Sequence, residues 1–243
     1  MRLHAQASIV VLTGAGISAE SGLNTFRDSG GLWEDHRVED VATPDAFQRN
    51  PLLVHGFYNA RRTQLKTVQP NAAHRALARL EAEWPSDVLV ITQNVDDLHE
   101  RAGTRNLIHM HGELTQARCL YCSAVHRWHV DLLPEVSCPA CGRKHVLRPN
   151  IVWFGEMPFE MERINQALQA CGMFLAVGTS GVVYPAAGLV EMANPCAFTV
   201  ELNLEASAVA SSFLEQRLGK ATVRVPELVE ELLAGIVPRN PSS

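Results

Sequence analysis

The sequence predicts an α/β protein with a parallel sheet in its larger domain and a smaller second domain. Apolar runs of β type alternate with helical segments, as in sheets whose strands are joined by crossover helices. The first run, residues 8–13, leads directly into a glycine-rich turn. Two stretches, roughly 31–70 and 113–149, break the alternation. We expect them to be insertions that pack together as the smaller domain.

The elements follow in order along the chain. Strands are predicted at residues 9–12, 88–92, 173–177, 198–202 and 222–225. A helix is predicted to begin at Pro70 and Asn71 and to end before Pro85, because its apolar residues share one face. Pro226 is predicted to start the final helix. The larger domain is then assigned to residues 1–30, 71–112 and 150–243.

Composition excludes some classes of protein. The chain has 243 residues, 47% of them hydrophobic and 19% charged, which is ordinary for a globular protein. The formal net charge of -5 argues against unspecific nucleic-acid binding, which needs a positive face. The first apolar run is too short for a signal peptide, and no window approaches a membrane span. We therefore expect a cytoplasmic protein that binds neither membranes nor specific nucleic acids.

The turn after the first strand fits a dinucleotide-binding pattern, G-x-G-x-x-G/A, at Gly14, Gly16 and Ala19. Gly14 permits the tight turn, and Gly16 lets the backbone approach a diphosphate. The small Ala19 allows close packing of helix and strand. The alternative is an ordinary glycine-rich turn between a strand and a helix.

The segment that follows argues against a common dehydrogenase. Such an enzyme carries an acidic residue at the end of a second strand about 20 residues after the glycines. Here residues 26–37 are polar and interrupted by glycines, so they are typical of a long loop. Long loops inside compact domains are often functional. Because this loop carries aromatic residues and an arginine, we expect it to cover a cofactor.

Two polar clusters follow later strands. Gln93, Asn94 and Asp96 come directly after the strand at 88–92, where ligands of parallel sheets gather. The alternative is a helix cap, for which Asn and Asp are common. His109 and His111 alternate in an extended segment and so point to opposite faces. One is expected to be a general base, and the other a packing or hydrogen-bonding residue.

Four cysteines form the strongest chemical signal. Cys119-x-x-Cys122 is followed, after 15 residues, by Cys138-x-x-Cys141. This spacing is typical of a zinc ribbon, in which four thiolates make a closed structural site. Disulfides are the alternative, and they are disfavoured because nothing in the sequence indicates secretion. The sequence therefore predicts one structural Zn²⁺ per chain.

Taken together, the motifs resemble those of sirtuins. GAGISAESG, TFRD, TQNVD, HMHGEL, the paired CxxC motifs, VWFGE, GTSGVVYPA and ELNLE occur in the order seen in that family, over nearly the whole chain. The resemblance implies a Rossmann-like large domain and a small domain built from a zinc ribbon and helices. It also implies an NAD-dependent protein-lysine deacylase of bacterial type. Such an enzyme consumes NAD and gives nicotinamide and O-acyl-ADP-ribose.

The resemblance implies roles for individual residues. His111 matches the general base, and Asn94 and Asp96 join it as catalytic residues. NAD would be bound by Gly14, Ala15, Gly16, Ser18, Ala19, Glu20, Phe26, Arg27, Trp33, Gln93, Asn94, Asp96, Gly178, Thr179, Ser180, Asn203, Leu204, Glu205 and Ala221. The acyl-lysine peptide would lie along Val152, Phe154, Gly155 and Glu156. Zinc would be bound by Cys119, Cys122, Cys138 and Cys141.

Tyr58 and Arg61 refine the expected substrate. They are three residues apart and share one helix face. The pair resembles the Tyr-x-x-Arg motif of class III sirtuins, which accept acidic acyl groups such as succinyl. A phenol and a guanidinium can together bind a carboxylate. The alternative is an arginine that faces solvent.

Two other functions remain open from the sequence. A protein ADP-ribosyltransferase would use the same NAD site and would transfer the sugar to a protein side chain. A non-catalytic NAD-sensing or zinc-ribbon binding protein is the other alternative, and it is disfavoured because Asn94, Asp96 and His111 are all present.

Overall fold

The computed structural model describes residues 7–23, 32–33 and 36–236. The strands are β1 (Ile9–Thr13), β2 (Leu32–Trp33), β3 (His36–Arg37), β4 (Val88–Thr92), β5 (Leu107–His109), β6 (Gly112–Cys119), β7 (Val125–Arg127), β8 (Leu147–Ile151), β9 (Met173–Val177), β10 (Phe198–Asn203) and β11 (Glu215–Leu218). The helices are α1 (Ala15–Ala19), α2 (Val38–Val41), α3 (Pro44–Arg49), α4 (Pro51–Leu65), α5 (Ala72–Glu83), α6 (Leu98–Ala102), α7 (Met161–Ala170), α8 (Leu189–Met192) and α9 (Ala221–Leu233).

A six-stranded parallel sheet forms the centre of the larger part, in the order β11-β10-β9-β1-β4-β5. β1 lies between β4 and β9, with Ile9 opposite Val88 on one side and Met173 on the other. Every residue of β1, β4 and β9 is buried, because separate apolar clusters cover the two faces of the sheet. This confirms the predicted α/β class.

One predicted strand is wrong. Residues 222–225 belong to α9, and the two strands at the edges of the sheet, β5 and β11, were not predicted. The carboxylate of Glu20 accepts hydrogen bonds from the backbone N–H and the hydroxyl of Thr222, at 3.1 and 2.6 Å, so it satisfies donors in the first turn of α9. Pro226 lies inside this helix and does not start it. The predictions at 88–92 and 173–177 match their strands, and α5 begins after the N-cap Asn71.

A second, antiparallel sheet has the order β7-β6-β8. Cys119 is the last residue of β6, and the other three paired cysteines lie outside the strands. The sheet contacts α4 where Arg62 Nε donates to the carbonyl oxygen of Leu114 in β6 at 2.8 Å. The segment between β7 and β8 also contacts α4, because Asn59 exchanges two hydrogen bonds with the backbone of Leu132. These contacts support our proposal that 31–70 and 113–149 form one small domain. β8 continues to Ile151, slightly past the proposed boundary.

Within the described ranges, no helix combines the length and the apolar character needed to cross a membrane.

Candidate functional site

A cavity of about 730 Å³ opens at the carboxyl ends of β1, β4, β9 and β10. It brings together all the predicted NAD, catalytic and substrate residues whose side chains the structure describes. They are Gly14, Ala15, Gly16, Ser18, Ala19, Glu20, Tyr58, Arg61, Gln93, Asn94, Asp96, His111, Val152, Phe154, Gly155, Glu156, Gly178, Thr179, Ser180, Asn203, Leu204, Glu205 and Ala221. Phe26, Arg27 and the side chain of Trp33 lie outside the described part of the chain.

Two glycine-containing turns meet at one end of this cavity. The backbone N–H of Gly16 donates to the carbonyl oxygen of Gly178 at 2.8 Å. A Cβ atom on Gly16 would lie 2.7 Å from the Cα of Gly178, closer than carbon atoms pack. Gly178 has φ +62, and a Cβ there would lie 2.4 Å from the nitrogen of Ile17. The glycines are therefore required by the contact between the turns that follow β1 and β9.

Hydrogen bonds join the turns after β4, β9 and β10. Gln93 Nε2 donates to the hydroxyl of Thr179 at 3.1 Å. Asn203 Nδ2 donates to the carbonyl oxygen of Thr179 at 2.6 Å. Leu204 and Glu205 follow on the exposed rim, where Leu204 is 67% exposed. The order of the strands thus places residues that are 110 positions apart on one wall of the cavity.

Ser18 is the centre of a buried polar network. Its hydroxyl donates to Asp96 Oδ2 at 2.9 Å and accepts from Asn94 Nδ2 at 3.0 Å. His74 Nδ1 accepts from the N–H of Asn71, so its Nε2 carries hydrogen and donates to Ser18 at 3.4 Å. All four polar side chains are buried, and together they fix the positions of Asn94 and Asp96.

Asp96 lies just before α6, whose N-cap is Asp97. Its Oδ1 accepts from the backbone N–H of Leu98, two residues on, as in an Asx turn. It also lines the cavity. Burial raises the pKa of Asp96 from 3.8 to about 6, although the bonds from Leu98 and Ser18 oppose the shift. A carboxyl group that titrates near neutrality in a cavity is typical of a functional residue.

The two histidines of β5 and its following turn differ in their hydrogen-bond partners. Nδ1 of His109 lies 3.2 Å from the carbonyl oxygen of Asn94, and Nε2 lies 2.9 Å from Oε1 of Glu100. Burial lowers the pKa of His109, but the hydrogen bond and charge of Glu100, the charge of Glu113 and the carbonyl of Asn94 together raise the pKa overall. Because both ring nitrogens face acceptors, this geometry favours the imidazolium form, which donates from both nitrogens. This is the hydrogen-bonding role predicted for one of the two residues.

His111 has one nitrogen bound and lines the cavity. Its Nδ1 lies 3.1 Å from the carbonyl oxygen of Gln93. A carbonyl oxygen only accepts, so Nδ1 carries the hydrogen and Nε2 carries the lone pair. Burial lowers the pKa of His111 below its ordinary value of 6.5, and the bond to Gln93 opposes this in part. The imidazole is therefore neutral at pH 7, as a general base must be.

The Tyr-x-x-Arg pair lies on α4 at another wall of the cavity. Tyr58 is fully buried, and the guanidinium of Arg61 lies 3.8 Å from the ring centroid of Phe57. Arg61 also donates to the carbonyl oxygen of Phe57 at 2.9 Å. Arg61 lines the cavity, which disagrees with the alternative of a solvent-facing arginine. Sequence reasoning missed Trp153, which lines the same wall and donates to Tyr58.

The four predicted zinc ligands form a compact cluster. Cys119 Sγ lies 3.8 Å from Cys141 Sγ, and Cys122 Sγ lies 3.8 Å from Cys138 Sγ. A tetrahedral ion with Zn–S bonds of ~2.3 Å separates its sulfurs by about 3.8 Å, so the cluster fits zinc. The cysteines are free and not joined as disulfides. Backbone N–H groups of Tyr121 and Cys122 point at Cys119 Sγ, as donors to a thiolate would.

Comparisons with known proteins identify the family. Residues 14–185 match the Sir2 family. A protein of Vibrio vulnificus (strain YJ016) is 56% identical over 230 residues, which cover 93% of this chain and 94% of that protein. One of Bdellovibrio bacteriovorus is 53% identical over 235 residues, which cover 96% of this chain and 100% of that protein. Both are named NAD-dependent protein deacylase.

Solved structures show the same fold. A complex of a Sir2 homologue with NAD has a TM-score of 0.86 at 38% identity, and the match covers 96% of this chain and 92% of that one. Sir2Af2 bound to a myristoylated histone peptide has a TM-score of 0.71 at 32% identity, over 94% of this chain and 92% of that one. By its sequence match and its close relatives, this chain belongs to the Sir2 family.

Proposed function

We propose that this chain is an NAD-dependent protein-lysine deacylase that removes acetyl, succinyl and related acidic acyl groups. The observation that carries the proposal is a neutral histidine, His111, in the same cavity as a glycine turn and the Tyr58–Arg61 pair. The names of the relatives support deacylation over the alternative, protein ADP-ribosyl transfer.

NAD would lie across the carboxyl ends of the central strands. Residues 14–20 would hold its diphosphate, and Gln93, Asn94 and Asp96 would surround the nicotinamide and its ribose. Residues 178–180 and 203–205, with Ala221, would line the adenosine half. Asn203 and Glu205 would meet ribose hydroxyls in place of the missing second-strand acid. That Phe26, Arg27 and Trp33 close over the nicotinamide stays a prediction.

The chemistry needs one base and a cavity that holds both substrates. The carbonyl oxygen of the acyl-lysine attacks the ribose carbon that bears nicotinamide, and nicotinamide leaves with the bonding electrons. Nε2 of His111 then removes a proton from the ribose hydroxyls, so that the 2′-oxygen attacks the acyl carbon. Addition of water and loss of the amine give free lysine and O-acyl-ADP-ribose.

The peptide would bind beside the turn that follows β8. Val152 N donates to the carbonyl oxygen of His111 at 2.8 Å, which joins the proposed peptide segment to the base. Val152, Phe154 and Gly155 would pair with the peptide as an added strand. Glu156 would hold this segment in place, because its carboxylate accepts hydrogen bonds from Arg148 and from the backbone N–H of Trp153.

Acidic acyl groups would reach Tyr58 and Arg61. Arginine offers several donors in a planar fork, which suits a carboxylate better than a lysine would. Acetyl has no carboxylate, so its removal does not depend on that charge. We propose cytoplasmic acyl-lysine proteins as the substrates. The net charge of -5 supports function without unspecific nucleic-acid binding.

Mass spectrometry of one reaction series tests the proposal. The zinc-loaded protein is incubated with NAD and with acetylated or succinylated versions of one peptide. We expect both acyl groups to leave, with O-acyl-ADP-ribose as product, and Arg61→Met to lower the ratio of succinyl to acetyl removal. Arg49→Met, which changes an exposed arginine on α3, is the matched control. Wild-type protein that removes neither group, or that transfers labelled ADP-ribose to protein, would overturn the proposal.

A further inference from the structure

Tyr58 receives a buried hydrogen bond from a residue outside the family motif pair. Trp153 Nε1 donates to the Tyr58 hydroxyl oxygen at 2.9 Å, and both side chains are buried. An indole N–H can only donate, so the phenol oxygen is the acceptor in this contact. The hydrogen of the Tyr58 hydroxyl is therefore directed away from Trp153.

Trp153 is held firmly in this orientation. The guanidinium of Arg148 lies 3.2 Å from the centroid of its ring. Arg148 is 3% exposed and binds the carboxylate of Glu156 with two nitrogens, at 2.7 and 2.9 Å. The same carboxylate accepts from the backbone N–H of Trp153 at 2.8 Å. The ring and the backbone of Trp153 are thus both fixed by one ion pair.

The direction of the Tyr58 hydroxyl matters for an acidic acyl group. A carboxylate offers only acceptors, so it binds a phenol that donates and is repelled by one whose lone pair faces it. Burial raises the pKa of Tyr58, so the hydroxyl keeps its hydrogen at neutral pH. Tyr58, Arg61 and Trp153 all line the same cavity.

We propose that Trp153 is a positioning residue for acidic acyl groups. Its indole N–H donates to the Tyr58 oxygen, and this bond orients the Tyr58 hydroxyl so that it donates its hydrogen to the acyl carboxylate. The proposal rests on the function proposed above and goes beyond it, since it assigns selectivity to a residue that does not bind the acyl group itself. Arg148 and Glu156 contribute by fixing the indole.

The test is a double-mutant cycle of Trp153→Phe and Tyr58→Phe in the zinc-loaded protein. Phenylalanine keeps a ring against Arg148 but lacks the N–H. The steady-state kcat and KM are measured for succinylated and acetylated versions of one peptide. We expect Trp153→Phe to lower the succinyl-to-acetyl ratio of kcat/KM by about ten-fold, mainly through KM, the size expected of one bond to a charged group. In the Tyr58→Phe background it should lower the ratio no further.

One control and one alternative variant separate positioning from a general loss of packing. Trp84→Phe removes another buried indole donor, which bonds Ala7 far from the cavity, and it should leave the ratio unchanged. If Trp153→Phe does not fold, 3-benzothienylalanine at position 153 replaces only the N–H by sulfur and keeps the bicyclic shape.

Three outcomes would overturn the inference. The succinyl and acetyl rates could fall together in Trp153→Phe, the ratio could stay unchanged, or the same loss could persist without the Tyr58 hydroxyl. Each leaves the proposed function intact if the wild-type protein removes both groups. Wild-type protein that removes no succinyl group would overturn the acidic-acyl part of the proposed function, and this inference with it.

Discussion

Nδ1 of His111 lies 3.1 Å from the carbonyl oxygen of Gln93, and this hydrogen bond decides which ring nitrogen can accept a proton. Because the carbonyl oxygen cannot donate, the lone pair is on Nε2. Gln93 directly follows β4, and His111 lies two residues after β5, the strand that pairs with β4. The bond therefore fixes the tautomer of the proposed base through two neighbouring strands and not through a carboxylate.

The first prediction concerns pH. A base must be neutral, so kcat/KM should fall as pH drops through the pKa of His111, which burial places below 6.5, and protonation of Asp96 near 6 should contribute to the same acid limb. His111→Ala should lower kcat by about 10²- to 10⁴-fold, the usual contribution of such a base. Steady-state rates between pH 5 and 9 check both statements. His129→Ala, at an exposed histidine, should behave like the wild type. Full activity of His111→Ala would contradict the assignment.

The second prediction concerns Ser18→Ala. The change removes the donor to Asp96 and the acceptor of Asn94, so kcat/KM should fall by about 10- to 100-fold. The bond from Ser18 lowers the pKa of Asp96, so without it that pKa rises further above its present value of about 6. The acid limb of the pH profile should therefore move to higher pH.

Measuring the profile separates this effect from a general loss of stability, which would lower the rate without moving the limb. Ser211→Ala, at an exposed serine, is the matched control. A Ser18→Ala protein with a lower rate and an unshifted limb would show that Asp96 does not act as a carboxylate in catalysis.

Much of the sheet was predictable because its strands are continuous apolar runs, buried on both faces. The strand predicted at 222–225 failed for a physical reason. Thr222, Val223 and Val225 are β-branched and favour strands, but the distant Glu20 caps their segment and packing against α5 keeps it helical. Tertiary contacts of this kind leave no mark on local sequence.

The site was predicted where its residues directly follow strands or belong to motifs. Trp153 was missed because a tryptophan between Val152 and Phe154 is typical of an ordinary core residue. Its indole N–H gains a proposed role only from the hydrogen bond to Tyr58, which lies 95 positions away in the sequence. The neutral state of His111 likewise depends on a carbonyl oxygen, and a backbone partner cannot be read from residue types.

The third prediction concerns zinc. The zinc-ligand segment joins α4 through Asn59, whose Oδ1 accepts from the N–H of Leu132 at 2.9 Å. Cys138→Ser removes one thiolate ligand, so the protein should lose the metal. Because metal binding supplies the folding free energy of such small modules, the Tm should fall, and deacylation should fall with it. Metal analysis and thermal unfolding check this, and Cys196→Ser, at an exposed free cysteine, is the control. Purified wild-type protein that is zinc-free and fully stable would contradict the structural role.

The fourth prediction separates backbone strain from close contact at two glycines. Gly178 has φ +62 and Gly235 has φ +74, so alanine is strained at both by about 1 kcal/mol. Nothing lies within 4 Å of a Cβ at Gly235, but a Cβ at Gly178 would lie 2.4 Å from the nitrogen of Ile17. Gly178→Ala must push apart the turns after β1 and β9, so it should lower the free energy of unfolding by about 2 kcal/mol more than Gly235→Ala does.

Gly178→Ala should also weaken NAD binding, because Gly178 lines the cavity beside Gly14 and Gly16. Denaturant unfolding and NAD titration of both variants check this. Equal losses of stability would show that the two turns can separate freely, and the argument for glycine at the contact would then fail.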